Sequence, residues 1–154
     1  PQMNRALFLD RDGVINVEKN YVYKIEDFEF IKPIFAVCKK YQNQGFKIFV
    51  ITNQAGIARG YYTVDDYLYL TDWMETEFGK RGIVITKTYF CPHHPNFSGP
   101  CSCRKPKPGM LLQAKDEFDL DLEKSILIGD KQSDIDAGIN AGVGKNLFID
   151  EISV

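Results

Sequence analysis

The segment "FLDRDGV" places two carboxylates, Asp10 and Asp12, two residues apart behind an apolar run. In extended backbone, residues i and i+2 share a side, so both acids face one place. Such a pair can bind a divalent cation, or divide into nucleophile and general acid/base. Asp and Gly are also common turn residues, so the pair alone leaves a plain turn as the alternative. Three further stretches shift that balance. "ITNQ" supplies the hydroxyl of Thr52 and the amide of Asn53, "CRKPKPG" supplies Lys105, and "GDKQSD" supplies Asp130 and Asp134. Carboxylates from the first and last stretches make an oxygen-rich site suited to Mg2+. A hydroxyl, a lysine and backbone amides make a cradle for a phosphoryl group.

A different chemistry is concentrated in "CPHHPNFSGPCSC", residues 91–103, which holds both histidines and three of the four cysteines. Cys91, His93, Cys101 and Cys103 read as C-x-H, seven residues, then C-x-C. Three thiolates and an imidazole are the donors of a closed tetrahedral Zn2+ site, which has a structural role. Free thiols in a reducing compartment are the alternative, and His94 offers the same donor one residue on. Cys38 falls in an apolar helical pattern and reads as a small buried hydrophobe.

These residues need a scaffold that brings them to one edge. "RALFL", "FKIFVIT", "IVITKTYF", "SILIG" and "KNLFI" read as strands. "KPIFAVCKKYQNQG" reads as a helix, with Pro33 in its first turn, Gly45 at its end and Ile34, Val37, Cys38 and Tyr41 on its apolar face. Thr63 and Asp66 open a second helix as a capping box. Val64, Tyr67, Leu68, Thr71, Met74 and Phe78 form its inner face, a packing stripe with Trp73 beside it. "PGMLLQAKDEF" and "DIDAGINAG" are two more helices, the last stopped by Gly142. Strands alternating with helices predict an α/β fold: a doubly wound, mainly parallel sheet with helices on both faces. In such sheets the ligand lies beyond the carboxyl ends of the strands, where Asp10, Thr52 and Asp130 fall.

The length of 154 residues suits one domain over 1–154, with a zinc loop at 91–103 and no separate cap domain. A net charge of −2 with both signs interspersed argues against nucleic-acid or membrane-surface partners. No apolar run approaches the roughly 20 residues that span a bilayer. The opening "PQMNRALFLD" lacks the features of a secretory signal, and Met3 is a candidate native start. The expectation is a cytoplasmic monomer.

In the order "DRDG", "ITNQ", "KPKPG", "GDKQSD" the chain resembles the haloacid dehalogenase superfamily of phosphohydrolases, over most of its length. Val14 stands where many members carry Thr or Ser after the glycine. The resemblance implies the Rossmann-like fold of that superfamily and specific roles. Asp10 is the nucleophile that forms an aspartyl-phosphate, and Asp12 the general acid/base. Thr52 and Lys105 stabilise the moving phosphoryl group. Catalytic Mg2+ is held by Asp10, the Asp12 carbonyl and Asp130. Asp134 supports that site by orienting Lys131.

Within the superfamily, a zinc loop before the lysine motif is similar to the D-glycero-D-manno-heptose 1,7-bisphosphate phosphatases. "TNQAGIARGYYT", "YFCPHHP" and "CRKPKPGM" carry the likeness, and the C-P-H spacing of that family selects His93 as the ligand. The loop also occurs in histidinol-phosphatase domains, and the seven-residue gap before Cys101 is nearer to their form. The resemblance implies that Arg11, Arg104 and Lys131 contact substrate, Arg104 at the second phosphate or the sugar and Lys131 at the substrate phosphate. Glu18, Lys19, Asn20 and Tyr21, with Asn53, Gln54 and Ala55, line the sugar. Arg59 either binds an anion or braces its loop.

The implied activity is Mg2+-dependent removal of the 7-phosphate of a heptose 1,7-bisphosphate, for activated heptose in lipopolysaccharide, capsule or S-layer glycans. Histidinol phosphate is the nearest alternative substrate. A polynucleotide 3′-phosphatase lacks the basic track it needs. A zinc-stabilised binding module without catalysis, or a redox or zinc sensor, are the readings from other classes. The full set of Asp10, Asp12, Thr52, Lys105 and Asp130 argues against a module that has lost catalysis.

Overall fold

Five short apolar runs form five strands: β1 Ala6–Leu9, β2 Lys47–Asn53, β3 Ile85–Cys91, β4 Ile126–Gly129 and β5 Lys145–Phe148. The structure, a computed structural model, describes residues 4–152. Met3 lies outside the described residues. The strands pair in parallel throughout, in the order β3-β2-β1-β4-β5. The chain runs outward from β1 to β3, then returns to the middle and builds outward from β4. The loops that leave β1 and β4 therefore diverge, and a crevice opens between them.

Alternation along the strands divides the core in two. Leu7, Leu9, Ile48, Val50, Ile126 and Ile128 face one layer, formed by helices α1 (Pro33–Asn43) and α2 (Val64–Lys80). Ala6, Phe8, Phe49, Ile51 and Leu127 face the other. A four-residue helix, α3 (Pro95–Ser98), lies in the cysteine loop. Helices α4 (Gly109–Phe118) and α5 (Gln132–Ala141) then form the second layer. The sheet is thus covered on both faces, and no further folded unit is inserted into it among the described residues. No helix is long and apolar enough to cross a membrane.

The local signals hold. Pro33 opens α1, and Gly45 follows it with φ +92°. The Thr63 hydroxyl accepts from Asp66 N at 3.1 Å, and Thr63 N donates back to the Asp66 carboxylate at 3.0 Å. Gly142 ends α5 in the left-handed region. Trp73 packs against Phe28 and Phe30, as a core residue should. Cys38 is fully buried, and burial pushes its thiol up to about 12.

The inner face of α2 differs from the expected stripe. Tyr67, Leu70, Met74 and Phe78 are buried, while Val64 is 39% and Leu68 48% exposed. Leu68 follows Tyr67 by one residue, about 100° round the helix. Tyr67 is fixed inward by Phe90 of β3, 4.3 Å away between ring centres. That contact turns Leu68 outward and brings Leu70 in. Leu70→Ala should accordingly destabilise the protein by about 2–5 kcal/mol, and Leu68→Ala by no more than about 0.5 kcal/mol. Urea unfolding of the two variants checks this.

Candidate active site

β1 ends at Leu9, so Asp10 leaves the sheet at its centre, held by a bond from its N–H to the Ile128 carbonyl at 3.1 Å. Lys105 reaches it from the segment after the cysteine loop. Its Nζ donates to Asp10 Oδ1 at 2.7 Å, to Asp134 Oδ1 at 2.6 Å and to the Ile51 carbonyl at 3.1 Å. All three charged groups are buried. Burial raises the Asp10 carboxyl to about 7, against the pull of Lys105 and with a further push from Asp134. Burial alone would lower Lys105, but the two carboxylates outweigh it and the net shift is upward. Asp134 is likewise penalised by burial, yet the ammonium and two backbone donors hold it below its ordinary range.

The backbone of Lys105 is fixed as firmly as its ammonium. Lys105 N donates to Asn53 Oδ1 at 3.0 Å, and Asn53 Nδ2 donates to the Lys105 carbonyl at 3.3 Å. Asn53 thereby ties the end of β2 to the lysine segment. Asp134, near the start of α5, turns its second oxygen back onto the N–H groups of Asp130 and Lys131, both at 3.0 Å. The expectation is that it orients Lys131; its carboxylate holds the Lys131 N–H and, in addition, the Lys105 ammonium.

Asp12 is ringed by donors. Its Oδ1 accepts from Arg11 at 3.0 Å and Asn16 at 2.9 Å, and its Oδ2 from Gln54 at 3.3 Å. Gln54 also donates to Thr52 Oγ1 at 2.8 Å and accepts from the Tyr62 hydroxyl. Arg11 is 2% exposed and spends its guanidinium on Asp12 and the Val22 carbonyl. It nonetheless lines the cavity that opens over Asp10 and Asp12.

A cavity of about 550 Å3 opens over these groups. It brings together Asp10, Asp12, Arg104, Lys105 and Lys131 with Glu18, Asn20, Tyr21 and the Asn53–Ala55 turn. Lys19 does not line it; it pairs with Glu29 at 3.1 Å on the surface. Asp130, exposed just after β4, and Thr52, buried within β2, do not line the cavity. The reach of Asp130 explains the glycine of "DRDG". A Cβ on Gly13 would overlap the Asp130 carboxylate, and Gly13 has φ +92°. The missing side chain leaves room for Asp130 to meet the β1 loop. Asp10, Asp130 and the Asp12 carbonyl are hard oxygen donors at neighbouring strand ends, a set that fits Mg2+. Sequence reasoning missed Asn16, Tyr62, Pro106 and Ser133. Asn16 and Tyr62 act through hydrogen bonds to other side chains, which no motif spacing reveals.

The cysteine loop also closes on itself. The Sγ atoms of Cys91, Cys101 and Cys103 and Nδ1 of His93 all lie within 4.8 Å of one another. His93 Nδ1 is 3.5 Å from Cys91 Sγ and 3.3 Å from Cys103 Sγ, and the Cys91 and Cys101 sulfurs are 3.7 Å apart. The Cys91 and Cys103 sulfurs are close enough to join as a disulfide. A disulfide would engage two of the four donors; one ion engages all, and the set fits structural Zn2+. His94 turns away, its Nδ1 accepting from Asn96 N at 3.1 Å. Arg59 braces this loop, 3.5 Å from the His94 ring nitrogen and stacked over Phe97.

Known proteins share this arrangement. Residues 102–147 match a family model described as "HAD-hyrolase-like". The D-glycero-alpha-D-manno-heptose-1,7-bisphosphate 7-phosphatase of Campylobacter jejuni is 56% identical, covering 96% of this chain and 83% of the relative. The chain belongs to the heptose-bisphosphate phosphatase family of haloacid dehalogenase hydrolases. A second member, the D-glycero-beta-D-manno-heptose-1,7-bisphosphate 7-phosphatase of Helicobacter pylori, is 50% identical over 95% of this chain and 84% of its own. Among solved structures, the D,D-heptose 1.7-bisphosphate phosphatase from B. bronchiseptica, complexed with magnesium and phosphate, superposes with a TM-score of 0.84. It is 28% identical, over 92% of this chain and 78% of that one.

Two measurements follow for the metals. In this family member, His93→Ala should lose zinc while His94→Ala keeps about one ion per chain, by elemental analysis. Protons compete with Mg2+ for Asp10, whose carboxyl lies near 7. Mg2+ affinity should therefore fall by up to about tenfold per pH unit below that value and level off above it, read by calorimetric titration.

Proposed function

We propose that this protein hydrolyses the 7-phosphate of a D-glycero-D-manno-heptose 1,7-bisphosphate. The observation that carries the reading is the buried Asp10–Lys105 pair facing a polar cavity with two further cations, Arg104 and Lys131, at its rim. A bisphosphate presents two anionic groups, and the cavity supplies cations for both. The names of the relatives support the same substrate class.

Asp10 attacks phosphorus, and the bond to the sugar oxygen breaks. Asp12 gives its proton to that leaving oxygen. The aspartyl-phosphate is then attacked by water, whose proton Asp12 takes, and the bond to Asp10 breaks to release phosphate. Lys105 and Thr52 hold the phosphoryl oxygens as charge develops on them. Mg2+, when bound at Asp10, Asp130 and the Asp12 carbonyl, neutralises charge on the phosphoryl group. Arg104, whose guanidinium donates to the His93 carbonyl at 3.3 Å, is set against the cysteine loop and meets the second phosphate. Lys131 meets the phosphate that is transferred. The zinc loop, residues 91–103, acts as a rigid wall in place of a cap, and residues 1–154 work as one phosphatase domain, as a cytoplasmic monomer.

Phosphate release with Mg2+ tests the proposal, comparing both anomers of heptose 1,7-bisphosphate with histidinol phosphate. A preference for a heptose anomer is expected, and a preference for histidinol phosphate overturns the substrate assignment. Asp10→Asn should reduce release by at least about 1,000-fold, since it removes the nucleophile.

A further inference from the structure

We infer that Tyr62 is a positioning residue for proton transfer, setting the Gln54 amide so that it steers Asp12. The inference rests on Asp12 being the general acid/base. Asp12 Oδ1 is already taken by Arg11 and Asn16. Oδ2 is the oxygen left to exchange a proton with the leaving group, and Gln54 is its one side-chain partner among the described residues.

An amide side chain has a donating end and an accepting end. Only one orientation of Gln54 aims the NH2 group at both Asp12 Oδ2 and Thr52 Oγ1. A hydroxyl can donate or accept, so neither Thr52 nor Tyr62 sets the orientation alone. The ionised Asp12 carboxylate, which only accepts, selects it, and the Tyr62 hydroxyl satisfies the other end by donating to Gln54 Oε1. Burial pushes the Tyr62 phenol well above its ordinary range, so its proton stays in place.

Tyr62 is itself fixed. Its ring stacks on Tyr23 with 5.0 Å between centres and 10° between planes. Its edge fills the space where Gly56 has no side chain: a Cβ there would overlap the Tyr62 ring. The loop "NQAGIARGYY" thus runs from Gln54 through Gly56 back to Tyr62, and the third side chain locks the first. Without the hydroxyl, Gln54 Oε1 is buried with no donor, and turning the amide towards the Thr52 hydroxyl satisfies it. That turn takes the N–H away from Asp12 Oδ2.

The test separates proton transfer from general damage. An alkyl leaving group, as in the heptose bisphosphate, needs a proton from Asp12 to depart. The p-nitrophenolate of p-nitrophenyl phosphate departs without one. Tyr62→Phe should lower kcat/KM for heptose bisphosphate about tenfold, the scale of one hydrogen bond to a charged group, and leave p-nitrophenyl phosphate within about twofold. Gly56→Ala, whose methyl would meet both the Tyr62 and the Tyr21 rings, should lower kcat/KM for heptose bisphosphate at least as far as Tyr62→Phe, and a smaller loss overturns the locking of Tyr62. Gln54→Met, which has no amide to hold Asp12 or Thr52, should lose at least as much on heptose bisphosphate as Tyr62→Phe, and a smaller loss overturns the relay through Gln54. An equal loss on both substrates, or no loss on either, overturns the role of Tyr62. Asp12→Asn is the reference. If it shows no such split, the acid/base assignment of Asp12 is what has failed, and the role of Tyr62 goes with it.

Discussion

One buried ammonium organises this molecule. Lys105 Nζ sits between Asp10 and Asp134 and also donates to the Ile51 carbonyl. It joins the end of β1, the end of β2, the start of α5 and the segment after the cysteine loop. Two carboxylates this close, away from water, repel each other unless a cation stands between them. A buried ion trio of this kind adds little net stability, but removing one member leaves an uncompensated charge and costs about 3–5 kcal/mol. The arrangement therefore specifies position more than it stabilises the fold.

The same trio explains why the Asp10 carboxyl, the proposed nucleophile, sits where it does on the pH scale. Burial lifts Asp10 to about 7, Lys105 pulls it down, and Asp134 works against that pull. A carboxylate balanced in this way is ionised by any further positive charge. A metal arriving at the oxygen donors supplies that charge, so metal binding and readiness of the nucleophile are coupled. The cysteine loop contributes at a distance. Its first donor, Cys91, is the last residue of β3 and pairs with Asn53 of β2. Asn53 in turn grips Lys105 through both of its main-chain groups. An ion in the loop would thus steady the lysine through one strand pair and one amide.

The fold was legible in the sequence because its signals are local. Five apolar runs, Pro33, the Thr63–Asp66 box and Gly142 each act within a few residues and need no tertiary context. The candidate residues stood out because Asp10, Thr52 and Asp130 fall at or just past strand ends, and the structure brings Lys105 from a later segment onto Asp10. What remained hidden depends on contacts across the chain. Leu70 replaces Leu68 in the core because Tyr67 meets Phe90 on a neighbouring strand. Arg11 lines the cavity beside two aspartates, but that its guanidinium is also held by Asp12 and the Val22 carbonyl shows only in the structure. The family resemblance implies that Asp134 orients Lys131, but nothing in the sequence pairs it with Lys105, 29 residues away in the chain. Tyr62 reads as one more loop aromatic until its hydroxyl is seen on Gln54.

Among the described residues no separate folded unit covers the cavity, and its floor and its rim come from different parts of the chain. The floor is welded together by charge: Asp10, Lys105 and Asp134 cannot change singly without cost. The rim is Glu18, Asn20, Tyr21, Arg104 and Lys131, side chains on loops that bear little of the fold. The rim's side chains can change while the floor's charges stay in place, because the floor holds Lys131 only by its backbone. Drift at the rim can retune which phosphate ester is accepted while the floor goes on breaking the same bond, so one scaffold can supply new specificities without relearning its chemistry.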